Sequence, residues 1–187
     1  MGTKLKFFDT DIKDVYIIKP DPFIDHRGMF ARVFCKEEFK EISHDKEIVN
    51  INHSATKIKG SIRGMHFQNP PKAEIKIIKC IKGSIFDVAI DLRKNSPTFL
   101  KHHSEILSAK NMKMLYVPEG FAHGFQSLED DVEMIYYTTE FYSPESENGV
   151  RYSDPKIAIN WPLDVTDISE KDNNLKLLTD DFEGLEV

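Results

Sequence analysis

SIFDVAIDLR, residues 84–93, puts Phe86, Val88, Ile90 and Leu92 on one face and Asp87, Ala89 and Asp91 on the other. A period of two is the signature of a strand, since successive side chains point to opposite sides of the pleat. Just upstream, EIKIIKCIKGS (74–84) reads as a second strand ending in a Lys-Gly turn, which predicts a hairpin over 75–92. KMLYVPEGFAHGFQSL (113–128) reads as two strands broken by Pro-Glu-Gly, and DVEMIYYTTEFY (131–142) follows after the acidic turn 129–131. Short strands with closely spaced turn signals predict an all-β sandwich or barrel. Helical signals are confined to KEEFKEI (36–42), and to SEKDNNLKLL (169–178) with Ser169 as N-cap and Asp172 three residues on.

The 187 residues are read as one domain, 1–187, large enough for a single sizeable core. Twenty-five basic residues against 31 acidic ones leave a net charge of −6, which offers nucleic acid no basic stripe but still allows a locally basic pocket for a small anion. No apolar run is long enough for a membrane span, and MGTKLKFFDTDIKDVYII has no signal-peptide core. Gly2 invites a myristoylation reading that Lys6 argues against. Cys35 and Cys80 form no Cys-x-x-Cys pair, so a reduced, cytoplasmic chain is expected.

GSIRGMHFQNPP (60–71) raises a chemical question, because a short apolar strand carries Arg63 and His66, both costly to desolvate. His66 is either a core histidine satisfied by backbone or a working base. Gln68 lies on its side of a regular strand, while Lys76 and Lys79 punctuate the next one. A lysine is rarely buried without a partner, so whichever of these points inward suggests an anionic ligand or a developing negative charge. His123 sits between Phe121 and Phe125 on one face, and with His53 and His66 it would supply an imidazole cluster. The absence of any His-x-His pair makes that metal reading weak. Tyr136, Tyr137 and Tyr142 suit cross-strand packing, though a phenol near a base is also a proton donor. Asp172 in a first helical turn would complement the helix dipole, or would orient an imidazole if it met one. Arg63 and His66, three apart, should face opposite ways unless Gly64 marks a bulge.

RGMHFQ, FDVAIDLRKNSPTF, LYVPEGFAHGF, FYSPE, INWPL and ISEKD, in that order, resemble the dTDP-4-dehydrorhamnose 3,5-epimerases over nearly the whole chain. The resemblance implies a cupin-like jelly roll with a few short peripheral helices, a homodimer exchanging N-terminal strand material, and neither metal nor cofactor. It implies a nucleoside-diphosphate 4-keto-6-deoxy sugar as substrate and a place in dTDP-rhamnose supply for lipopolysaccharide or capsule. It assigns His66 as base, Asp172 as its support, Tyr136 as acid and Lys76 as enolate stabiliser. Arg27, Asn50, Asn52, Arg63, Gln68, His123, Glu147 and Lys171 fall at binding positions, and Tyr142 at one that stacks on the base. Arg32 and Asn50 depart from the family, which has Glu and Gln there. Both positions belong to the binding set, so these departures keep a GDP- or CDP-linked hexose or heptose open. Separate alternatives are an enzyme inverting C3 or C5 alone, and a 3,4-ketoisomerase on the same barrel.

Overall fold

The computed structural model describes residues 4–187, so Gly2 lies outside it. In chain order, β1 (Leu5–Asp9) pairs with β2 (Tyr16–Pro20), and β3 (Phe23–Asp25) with β4 (Gly28–Phe30) makes a hairpin of its own. Helix α1 (Lys36–Phe39) continues as a 3-10 turn to Ile42. The long strands are β5 (Asn50–Thr56), β6 (Ser61–Gln68), β7 (Lys76–Lys82), β8 (Ser84–Asp91) and β9 (His102–Ser108), then β10 (Met114–Val117), β11 (Phe121–Ser127) and β12 (Val132–Thr138). Short strands β13 (Glu147–Gly149) and β14 (Asp167–Ile168) add to β6 and precede α2 (Glu170–Asn173).

Two sheets face one another. The first runs β1-β2-β10-β7-β12-β5 and the second β13-β6-β11-β8-β9, with β14 on β6. This is the expected all-β jelly-roll sandwich. The predicted hairpin over 75–92 does not form: β7 lies between β10 and β12, and β8 between β11 and β9. Gly83 takes a left-handed φ of +71°, and a Cβ there would sit 2.6 Å from Val132, so the chain steps across to the opposite sheet instead of folding back. A Lys-Gly turn signals a change of direction but does not say whether the strands it joins will pair.

The alternation in 84–93 has a consequence beyond strand formation. Val88, Ile90 and Leu92 pack outward, under a C-terminal segment that contributes Val150, Ile157, Trp161 and Phe182. Ile85 and Ala89 point the other way, into the core between the sheets with Ile78, Leu115, Phe125 and Met134. Asp87 and Asp91 share this inward face and are fully buried. A third cluster, centred on Phe39 of α1 with Ile18, Ile77 and Met114, covers the outer side of the first sheet. Both sheets are therefore buried on both sides over much of their area, and the polar residues that point inward mark where the interior is a site and not a core.

Candidate active site

Three recesses meet around His66. One, of about 330 Å³, is lined by Asn50, Asn52, His66, Gln68, Glu74, Lys76, Tyr136, Tyr142 and Glu147 among others. A second, of about 220 Å³, is lined by Arg63, His66, Lys76, His123, Tyr136 and their apolar neighbours. A third, of about 560 Å³, runs past Arg63 and His66 to Lys171 and Asp172. Together they make one cleft between the sheets.

Strand β6 supplies its central residue. The ladder with β11 pairs His66 with His123 and Arg63 with Phe125, and the register shifts between them. That shift is the bulge expected at Gly64, whose φ is +120° and where an added Cβ would sit 2.7 Å from the Gly124 Cα, leaving no room for a side chain. The extra residue turns Arg63 to the same cleft as His66. Ser169 caps α2 by accepting from the Asp172 N–H at 3.1 Å. The Asp172 carboxylate then reaches back to β6, accepting from Gly64 N at 3.0 Å with Oδ2 and meeting His66 Nε2 at 2.6 Å with Oδ1. Burial pushes this carboxyl up, but the bonds from His66 and Gly64 outweigh it and hold it below the ordinary carboxylate range. Asp172 thus stays anionic and orients the His66 ring through Nε2.

Tyr136 comes from the other sheet. It is paired in register with Asn52 and Ile78, on the inward face of β12 with Met134. Burial, then the Glu74 carboxylate, raise its phenol above the ordinary value, against a smaller opposing pull from Arg63. Lys76 stands one diagonal away, opposite Thr138. Its ammonium donates to the His66 carbonyl at 3.3 Å and pairs with Glu74 at 3.2 Å, with both side chains only 12 % exposed. Lys79 faces outward, away from the cleft, so Lys76 is the inward lysine of the two.

At the mouth, Glu147 accepts from Lys171 at 2.6 Å and from the Tyr142 hydroxyl at 2.9 Å, while the Tyr142 ring is 64 % exposed. Asn50 donates to Thr138 Oγ1 and to the Glu140 carbonyl. The Gln68 amide is committed to backbone: it donates to Lys72 O and Phe141 O and accepts from Ser143 N, so it shapes the cleft by holding two loops.

Other expected residues stand apart. Arg27 lies on the exposed turn of the β3–β4 hairpin, bonded to Asp25, and does not line its own chain's cleft. Arg32 is bonded to Glu38 of α1, whose other oxygen accepts from Leu5 N, so it ties the hairpin's base to β1. His53 points out of the sandwich and bonds Glu133, which dissolves the imidazole cluster. No group of three or more metal-type ligands exists among the described residues. Two residues at or behind the cleft wall escaped the sequence reading. Asp87 bonds His123 at 2.8 Å, and the alternation in 84–93 had already put it on the polar face; Glu74 lies two before Lys76, which is same-face spacing.

Across one cleft of this β-sandwich, an imidazole–carboxylate pair on one sheet faces a phenol and a lysine on the other. A family model described as dTDP-4-dehydrorhamnose 3,5-epimerase matches residues 9–180, and the chain belongs to that family. An epimerase of that name from Shigella flexneri is 45% identical over 88% of this chain and 91% of its own. The crystal structure of the Bacillus anthracis enzyme with TDP and pyrophosphate bound is 40% identical, with a TM-score of 0.90 over 93% of this chain and 99% of that one. The Legionella pneumophila enzyme in complex with dTDP-4-keto-L-rhamnose is 37% identical, with a TM-score of 0.88 over 92% of each chain.

Proposed function

We propose that this chain inverts C3 and C5 of dTDP-4-dehydro-6-deoxyglucose, giving dTDP-4-dehydrorhamnose. The observation that carries this reading is the His66–Asp172 pair on one wall of a cleft and Tyr136 on the other. Facing sheets pack about 10 Å apart, a gap that suits a sugar ring lying between an acid and a base. The C4 ketone acidifies the hydrogens on both C3 and C5, so one ketone serves two inversions. His66 Nδ1 removes the proton, the electron pair moves onto O4, and Lys76 stabilises the enolate oxygen. Tyr136 then protonates the carbon from the opposite face. Arg63 and Lys171 hold phosphate oxygens, Tyr142 stacks on the base, and Asn50, Asn52, His123 and Glu147 contact the nucleotide sugar. The relatives' names support dTDP as carrier, and the two free thiols, Cys35 and the buried Cys80, suit a cytoplasmic enzyme.

Incubation with dTDP-, GDP- and CDP-linked 4-keto-6-deoxy sugars in deuterium oxide tests this, with NMR following C3 and C5. Deuterium should enter both carbons of the dTDP sugar with inversion. Inversion at a single carbon would make it a monoepimerase, and migration of the ketone to C3 a ketoisomerase.

The working unit is a homodimer. Phe23, Ile24, Met29 and Phe30 on the β3–β4 hairpin are 50–71 % exposed, an apolar surface that a lone protomer leaves in water. Arg27, at the hairpin's turn, then serves the partner's cleft. Light scattering at micromolar concentration should return the mass of two chains, and Arg27→Ala should raise KM while leaving that mass unchanged. A fully active monomer would contradict it.

A further inference from the structure

The proposed chemistry leaves a proton imbalance. After the first inversion His66 holds a proton that it lacked and Tyr136 has lost one. A second inversion by the same two groups requires both to be reset. Burial and Glu74 make the phenolate costly, so it has to be quenched promptly.

The structure sets a second imidazole–carboxylate pair beside the first. His123 is the direct cross-strand partner of His66, and side chains so placed start from Cβ atoms about 5 Å apart. Its Nε2 bonds Asp87 Oδ1 at 2.8 Å, and Asp87 and His123 are respectively 0 % and 8 % exposed. The other oxygen, Oδ2 of Asp87, is buried without any hydrogen-bond partner. The packing of a β-sandwich gives no reason to bury a carboxylate so incompletely satisfied. His123 lines the same 220 Å³ recess as His66, Lys76 and Tyr136, whereas Asp87 lies behind it, out of reach of a ligand.

We infer that the His123–Asp87 pair is the relay that resets the site between the two inversions. His123 takes the proton from His66 at Nδ1, the nitrogen that Asp87 leaves free, and passes it to the Tyr136 phenolate oxygen. One N–H bond breaks on His66 and one O–H bond forms on Tyr136. His66 ends neutral, Tyr136 ends as the phenol, and no outside acid or base is consumed. Asp87 balances the transient imidazolium. Burial pushes its carboxyl up, with His123 and then Lys76 as the opposing influences, so its negative charge is best accommodated when His123 is cationic.

This rests on the double-inversion reading, and the test separates the two. Enzyme in excess over the dTDP-linked 4-keto sugar is quenched at intervals, and the unreacted, singly inverted and doubly inverted sugars are resolved by NMR. Wild type should pass to the doubly inverted sugar with little of the single intermediate. His123→Gln also removes a sugar contact, so both inversions should slow, but the second should slow by about a hundredfold more than the first, a typical contribution of one acid–base group, so the singly inverted sugar accumulates. Asp87→Asn keeps the buried volume and should give the same pattern more weakly, so the relay does not depend on one variant folding. Equal slowing of both inversions in either folded variant would reduce His123 to a substrate contact, and unchanged partition in both would remove the relay altogether. A wild type that never inverts a second carbon would overturn the parent reading instead.

Discussion

Replacing His66 by alanine is expected to abolish deuterium incorporation at both C3 and C5, with a loss of about 10²–10⁴-fold, the usual contribution of a general base. That range corresponds to about 3–5 kcal/mol of transition-state stabilisation. Both carbons should fail together because one ketone and one imidazole serve both. The fold should survive at a cost. Asp172 is buried, and the variant leaves its Oδ1 without the 2.6 Å bond while Oδ2 keeps Gly64 N. Stranding a buried acceptor costs about 1–3 kcal/mol. At this chain length each kcal/mol lowers Tm by about 2–4 °C, so melting should fall by several degrees without loss of cooperativity. NMR of C3 and C5 in deuterium oxide reads the chemistry, and a thermal melt reads the fold. Exchange at near wild-type rate in a folded variant would move the base elsewhere, with His123 as the next imidazole in the cleft.

How far such a site is legible in sequence depends on whether its signals are local. The bulge at Gly64 is local: two side chains three apart with a glycine between them cannot share a face on a regular strand, and the ladder with β11 slips there. The Ser169 cap is local too, and it forms. The polar face of 84–93 was visible as alternation, though its meaning was not. Asp87 and Asp91 point into the sandwich, whereas Val88, Ile90 and Leu92, on the apolar face, lie outward beneath the C-terminal segment. Only the tertiary structure says which side of a doubly covered strand becomes cavity. Pairings at long range were invisible from periodicity. His66 and Asp172 are 106 positions apart, and only the ordered motifs of a family joined them in advance. Gln68 shows the reverse limit, since its position near the site was legible while its commitment to three loop backbone groups was not. Turn chemistry at Lys82-Gly83 predicted a reversal, but the strands it joins each pair inside a different sheet, which local turn chemistry cannot specify.

Tyr136→Phe should separate the two halves of the reaction. The substitution removes one hydroxyl from a ring packed against the core beside Met134, so neither the fold nor the shape of the cleft has cause to change. In the native cleft the phenol is protonated, because burial and Glu74 raise it above its ordinary value, and it stands on the wall opposite His66. Without it, His66 still abstracts and Lys76 still faces the enolate oxygen, but no proton is delivered from the far side. The enolate then collapses by taking a proton back from His66, on the face it left. In deuterium oxide that returned proton has exchanged with solvent, so the variant should wash deuterium into the substrate with retained configuration. Inversion should fall by about 10²–10⁴-fold, the range for a general acid, while exchange falls far less. The comparison is internal to each sample: one NMR spectrum gives deuterium content and configuration at the same carbon, so errors in enzyme concentration cancel. Equal loss of exchange and inversion would mean that Tyr136 positions the ring for abstraction instead of donating to it. The far-side acid would then have to be another group in the recess shared with Arg63 and His123.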